Sequence, residues 1–422
     1  MNEKPRLLRP VPGWLGLYIR PGMNDHQVIS GLFSEEWSLV TGVVFDPCLD
    51  IRHQELREEV ARMHIDVVLD PRTMELATIG GYNPKLAKLP WAGSKPHSIE
   101  DLRGNSGTRF VDALANHVAN QAYTAILAPT HYIIGSSDPW FAIDQELTWM
   151  LRDRLDRLQR HDTLIYYPLG IPSAVFHNDV MRNEIIEQLK NLPIDALWLR
   201  IHPFGSDAGS TSVRHYIESA RDLNRLRRPI VAEHTGTVGL SLLAFGGVGG
   251  IEGGITVGER FNVNGWFRPR DNGSGFLPQS RVYLPQLGIF LTQKEADAFL
   301  TSAQMKAAFA CHDSNCCRKG ARDMLGNPRR HFLIQRMTEV KNLSHQPPAL
   351  RPTLYMDGFL RPATDLALRA MRGAPSELQP KFRLLQKRLE SRRLVLSKMT
   401  SLPPGTVVPM IPERRRIVAR TA

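Results

Sequence analysis

A chain of 422 residues with 42% apolar content can bury a large core, which points to one big domain with appendages or to two domains. Four cysteines, three of them clustered, exclude a secreted disulfide framework, and the opening "MNEKPRLLRPVPGW" lacks the apolar core of a secretory leader. The longest apolar run, at 240–251, is too short and glycine-rich to span a bilayer, so a soluble cytoplasmic protein with no membrane partner is expected, and its net charge of +11 suggests a polyanion.

Taken in chain order, short apolar runs recur, each closed by a Pro- or Gly-bearing turn. They are "LGLYIRPG" at 15–22, "TGVVFDP" at 41–47, "IDVVLDP" at 65–71, "YTAILAPTH" at 123–131, "DTLIYYPLG" at 162–170, "DALWLRIHPFG" at 195–205, "RPIVAEHTG" at 228–236 and "GGITVGERF" at 253–261. Between them lie stretches of helical periodicity such as "QELREEVARM" and "FAIDQELTWMLRDRLDRLQRH". Apolar strands alternating with amphipathic helices predict an α/β fold with a parallel sheet, here a (β/α)8 TIM-type barrel over 1–265. A doubly wound open sheet is the runner-up, but no GxGxxG follows the first strand. The long stretch 72–122 after the third strand is expected to build a substrate pocket at the barrel's C-terminal face.

Polar residues at strand ends point into that face. They include Tyr18, Arg20, Asp46, Asp70, Thr130, His131, Tyr167, Arg200, His202, Glu233, His234 and Glu259. Asp70 precedes the long loop and is the stronger candidate for substrate chemistry, whereas Asp46, before Pro47 and a short connection, suits a cap or turn at least as well. The glycine run "GGVGGIEGG" at 246–254 reads as a tight turn into the eighth strand, or as a place where a ligand meets backbone; it is no Walker loop, since no GK[ST] follows.

Next comes an insert and then "CHDSNCC" at 311–317, with His331 following in "PRRHFL". Cys311, Cys316, Cys317 and His331 offer three thiolates and an imidazole, a set that suits a closed, structural Zn2+ site within a module spanning 266–343. Neighbouring cysteines seldom both reach one metal, and His312 is an alternative ligand. After the break "SHQPPALRP" the remainder, 344–422, reads as a basic helical tail. Between Lys381 and Arg420 stand eleven Lys/Arg against Glu390 and Glu413, which is +9 of the total. Leu384, Leu385, Leu389 and Leu394 are expected on a docking face, with Arg388, Arg392 and Arg393 turned outward toward nucleic acid.

A barrel followed by a cysteine-cluster module resembles the tRNA-guanine transglycosylase superfamily, whose members include enzymes that insert 7-deazaguanine bases into DNA. The likeness covers about 15–340 and rests on Cys311, Cys316, Cys317 and His331, on "RFNVNG" at 260–265, and on Asp70 at the end of the third strand. The family's CxCxxC spacing is not kept, and "PRTMELATIGGY" stands where the family has Ser-Gly-Gly-Phe-Gln. The family's nucleophilic aspartate on the eighth strand would fall near Gly254, flanked by Glu252 and Glu259, with Glu233 ending the preceding strand.

The resemblance implies a pentosyltransferase that exchanges guanine-type bases in DNA or tRNA through a covalent glycosyl-enzyme intermediate. Its partners would be nucleic acid, held by the basic tail, and a small-molecule base. Asp70 would be the general base and Glu259 or Glu233 the nucleophile, with Arg200, His202 and His131 contacting substrate. Two readings compete: a nucleic-acid-binding barrel without catalysis, and an unrelated barrel hydrolase using Asp46, Asp70 and His131. Acids that converge on one pocket favour exchange, while scattered acids favour the binder.

Overall fold

Seven of the eight apolar runs, with the glycine run before the eighth, form eight parallel strands: β1 (Gly16–Arg20), β2 (Gly42–Phe45), β3 (Asp66–Leu69), β4 (Ala125–Leu127), β5 (Leu164–Pro172), β6 (Ala196–His202), β7 (Ile230–Glu233) and β8 (Gly250–Gly254). Each pairs with the next, and β8 closes on β1, with Leu17 opposite Ile251 and Tyr18 opposite Glu252. The fold is thus the expected (β/α)8 barrel. It is seen in a computed structural model that describes residues 15–34, 40–63, 65–269, 280–400 and 407–410.

One strand lies elsewhere than expected. The apolar pattern predicts the eighth at 253–261, whereas the glycine run itself is the strand. Strand propensity is weak there, yet close neighbours select small residues: a Cβ on Gly250 would lie 3.2 Å from Val231 Cγ2. The following "TVGE" turns instead, with Thr256 at φ 63° and Gly258 at φ 71°.

Side chains alternate along each strand, one toward the helices and the next into the barrel. The inward set Tyr18, Val44, Val68, Leu127, Tyr166, Trp198 and Val231 packs into one buried cluster, joined from the described segment 407–410 by Met410. Half-buried Asp66, at the start of β3, borders it and accepts hydrogen bonds from Tyr18 Oη (3.1 Å) and Tyr166 Oη (2.7 Å). The barrel is filled, so chemistry is confined to its mouth.

The helix Pro328–Ser344 packs against β1, against the helix His26–Ser34 after β1, and against the helix Gly239–Ala244 after β7. That is the place of a barrel's eighth helix. The hairpin Arg281–Leu284/Ile289–Thr292 and the cysteine cluster are therefore inserted between the last strand and the last helix.

In the tail, the helix Gln379–Ser397 packs along the helix Ser210–Leu223 that follows β6. Its buried face differs from the expected leucine stripe. Phe382, Leu389, Arg392 and Leu396 are buried, while Leu384 and Leu394 are exposed. Phe382, Leu389 and Leu396 recur every seven residues and so share one side of the helix, whereas Leu384 and Leu394 fall away from it. Arg392, expected outside, is turned inward and donates to the Ala208 carbonyl at 3.4 Å. The stretch "PERRRIVARTA" lies outside the described residues, among which no helix is long and apolar enough to cross a membrane.

Candidate active site and metal centre

The alternation that fills the barrel also brings Arg20, Asp70, Arg200, Glu233 and Glu252 together at the mouth. Asp70 Oδ2 accepts from Arg20 Nη1 and from Arg200 Nη2, each at 2.7 Å, and Asp70 Oδ1 accepts from the Arg72 backbone N–H at 3.0 Å. Glu233 Oε2 accepts from Arg200 Nε at 2.7 Å and from Trp198 Nε1 at 2.6 Å, with Arg20 Nη2 3.5 Å away. Glu252 Oε1 accepts from Arg20 Nε at 2.9 Å, whereas Glu252 Oε2 is buried without a hydrogen-bond partner. A polar atom from each of Glu233, His234 and Glu252 lies within 4.8 Å of the others.

The three carboxyls differ in how they hold protons. Burial pushes Asp70 up, but Arg200 and Arg20 outweigh it and hold Asp70 far below the usual carboxylate range. Burial likewise opposes ionisation of Glu233, and again Arg200 and Arg20 outweigh it, so its pKa is lowered. At Glu252 burial prevails over His234 and Arg20, and its pKa is raised. One site thus contains two fixed anions and one carboxyl biased toward its acid form.

Over this network lies a small apolar cover of Met74, Phe261 and Val263, with Tyr132 and Trp266 packed against it. The cover forms where the loop after β3 meets the loop after β8, joined by a hydrogen bond from Gly80 N to Trp266 O at 2.7 Å. Arg20 and His234 remain partly open, with side-chain exposures of 15% and 20%. Beside the network, Arg72 pairs with Asp46 and Glu75 and lines a cleft of about 400 Å3 with Asp46, Asn83 and Lys85. Asp46 also caps the turn after β2, accepting from Cys48 N at 2.9 Å.

The structure unites Asp70, Glu233 and Arg200 but places the other candidates elsewhere. Glu259 bonds to Ser206 Oγ at 2.7 Å and pairs with Arg281 of the hairpin. His202 Nδ1 accepts from Val263 N at 3.2 Å, so it holds the covering loop. His131 is buried, stacked on Trp140 at 3.9 Å between ring centroids, and engages Asp144 at 2.6 Å through Nδ1. The site residue that sequence reasoning misses is Glu252, inside a glycine run that reads as a turn or a place of close ligand approach. The register signal was present, since in "GIEGG" only Glu252 and the glycines can face inward if Ile251 packs outward.

The cysteine cluster forms a second centre. Cys316 Sγ lies 3.6 Å from Cys317 Sγ and 3.3 Å from His331 Nδ1, which is 3.5 Å from Cys317 Sγ. A tetrahedron with metal–sulfur bonds of about 2.3 Å has S–S edges of about 3.8 Å, so the donors stand at coordination spacing. Cys311 completes a buried set that can hold a metal ion. His331 Nε2 lies 3.0 Å from the Tyr283 carbonyl; a proton there leaves Nδ1 free to face the sulfurs. Both adjacent cysteines reach the centre, and exposed His312 lies 3.0 Å from the Ala307 carbonyl instead.

No family model matches the chain, and no curated protein does. Among solved structures, it is similar to the endo-1,4-beta-xylanase XylE of Penicillium canescens, with 8% identity over 56% of this chain and 81% of that one, at a TM-score of 0.37. A beta-mannanase from Bacteroides ovatus shows 12% identity over 62% and 85%, at 0.36. A thermostable mutant of a xylanase from Cellvibrio japonicus shows 11% over 57% and 86%, at 0.35. Likenesses this low carry no argument about chemistry or substrate.

Proposed function

We propose that the protein transfers a glycosyl group by double displacement, exchanging a guanine-type base at an N-glycosidic bond of DNA or tRNA. The observation that carries this reading is the pairing of Glu233 with Glu252 on adjacent strands, their carboxylate oxygens within 4.8 Å and their proton affinities shifted in opposite directions. Carboxyls about 5–5.5 Å apart suit a covalent intermediate, in which one attacks the anomeric carbon and the other handles the proton. Glu233 is the nucleophile: Arg200 and Trp198 occupy its Oε2, and Oε1, 3.5 Å from His234 Nε2, is the oxygen that attacks. Glu252 is the acid–base, replacing Asp70 in that role, because Asp70 has three donors and serves as a fixed anion. The barrel mouth admits a base only when it is out of its stack and the Met74–Phe261 cover is displaced.

The cysteine–histidine centre is proposed to hold structural zinc, which has no part in these steps. The basic tail is proposed to hold the nucleic acid. Incubation with tRNA or duplex DNA, quenching in denaturant and intact-mass analysis tests the reading. A protein–nucleic acid adduct that is absent from Glu233→Gln is expected. Release of a free base with water as sole acceptor would favour a hydrolase, and no adduct or base release on either substrate would favour a binding barrel.

A further inference from the structure

We infer that His234 and Glu252 hold one proton between them, and that His234 is the residue through which this proton exchanges with solvent. The inference deepens the glycosyl-transfer reading and rests on it for its role in turnover, but the proton sharing itself is a property of the resting protein.

Charge supplies the first argument. Asp70, Glu233 and Glu252 pair with Arg20 and Arg200 in the buried network, and neighbouring Arg72 is taken up by Asp46 and Glu75, which leaves one negative charge in excess among the five. An uncompensated buried charge is costly, so the cluster favours uptake of a proton. Geometry then says where. The two guanidinium groups hold Asp70 and Glu233 ionised, whereas Glu252 Oε2 has no hydrogen-bond partner and lies 3.5 Å from His234 Nδ1. On its other side, His234 Nε2 lies 3.5 Å from Glu233 Oε1. The ring offers a different nitrogen to each carboxylate. Only an imidazolium has both N–H donors, and a bound cation would use one nitrogen alone.

Access points to the same pair. The Glu252 side chain is fully buried, while that of His234 is 20% exposed. His234 also adopts φ 53°, uncommon for a residue with a side chain, and its N–H donates to Glu252 O at 3.0 Å. Gly258 covers the ring so closely that a Cβ there would lie 3.2 Å from His234 Cε1. The charged groups at the ring are Glu233, which precedes it at the end of β7, and Glu252 on β8; Arg20 on β1 pairs with both of these, and Asp70 on β3 lies beyond Arg20. Glu259, at the end of the covering loop, is turned to Ser206 and Arg281.

The proposed reaction keeps this cluster neutral throughout. In the first step Glu233 Oε1 bonds to the anomeric carbon, the C–N bond breaks, and its electron pair goes to the base nitrogen, which takes the proton from Glu252. Glu233 is then an uncharged ester, and ionised Asp70 and Glu252 balance Arg20 and Arg200. The incoming base reverses each change: its nitrogen bonds to carbon, the C–O pair returns to Glu233, and its N–H proton passes to Glu252.

The test is the protonation of His234 followed by NMR in the full chain labelled with 15N-histidine, which needs no turnover. At one fixed pH, Glu252→Gln should move the His234 ring 15N signals toward those of a neutral ring, because the excess anion is gone. Unchanged signals overturn the inference. If Glu252→Gln fails to fold, Glu233→Gln removes the other facing anion and must move the signals the same way. His234→Asn, which tolerates the left-handed backbone, should alter the pH profile of base exchange rather than scale it uniformly. Adduct formation with unmoved signals sinks only the shared proton, whereas moved signals without adduct sink only the glycosyl-transfer reading.

Discussion

Asp70 accepts two guanidinium contacts on one oxygen, so its substitution should cost stability as well as activity. Asp70→Asn keeps the shape but removes the anion that both Arg20 and Arg200 contact in a buried site, where breaking an ion pair costs about 3–5 kcal/mol. Activity and stability should therefore fall together, as measured by denaturant unfolding; full stability in the variant would refute the fixed-anion role. The sign with pH is determined by the depressed pKa. Stability from Asp70 is present above its unfolded value and is lost as pH falls through the lower folded value, so the variant should show a shallower acid limb. Glu252 runs the other way: its raised pKa means that the folded state gains relative stability as pH falls. Arg20, Asp70, Arg200 and Glu233 were legible in the sequence because each is a polar residue at or within two residues of the end of an apolar run. Glu252 was not, because its strand is mostly glycine and owes its place to packing between β7 and β1.

At the level of elements, the cysteine cluster was legible from spacing alone, but its mechanical place was not. The sequence suggests a module appended to a barrel, whereas His331 belongs to the helix Pro328–Ser344 that packs as the barrel's last helix. A metal held there ties that helix to Cys311, Cys316 and Cys317, and through Tyr283 O to the hairpin whose Arg281 holds Glu259 beside the mouth. Such a centre should contribute folding free energy directly. We expect one zinc per chain by metal analysis after tag-free purification, and less than a tenth of an equivalent would exclude the structural-zinc proposal. Cys316→Ser should lower folding yield and thermal stability well beyond Cys48→Ser. Cys48 is only half buried and stands apart from the cluster.

For the whole molecule, the question is whether a basic tail on a nearly neutral body serves the mouth. Helical periodicity correctly indicated a long helix, but its docking face could not be assigned without the partner surface, and Arg392 shows why. Its guanidinium crosses to the Ala208 carbonyl in the loop leaving β6, which joins the basic helix to the barrel at the mouth-bearing end. Removing the whole helix would strip Phe382, Leu389 and Leu396 from the barrel and confuse lost folding with lost binding. The cleaner change replaces exposed Arg383, Lys387 and Arg388 by Gln and leaves the buried face intact. If each of these residues neutralises a phosphate, the slope of log affinity against log salt for duplex DNA should flatten by about 2–3 units, since each contact contributes about 0.9. Thermal stability and zinc content should stay unchanged, because none of the three side chains is buried. Measured by fluorescence anisotropy at matched monomer content, an unaltered slope on both DNA and tRNA would make the tail a solvated helix and move the search for a polyanion site to the mouth loops. A flattened slope with unchanged single-turnover exchange at saturation would assign the tail to holding the polymer and the buried carboxyls to the chemistry.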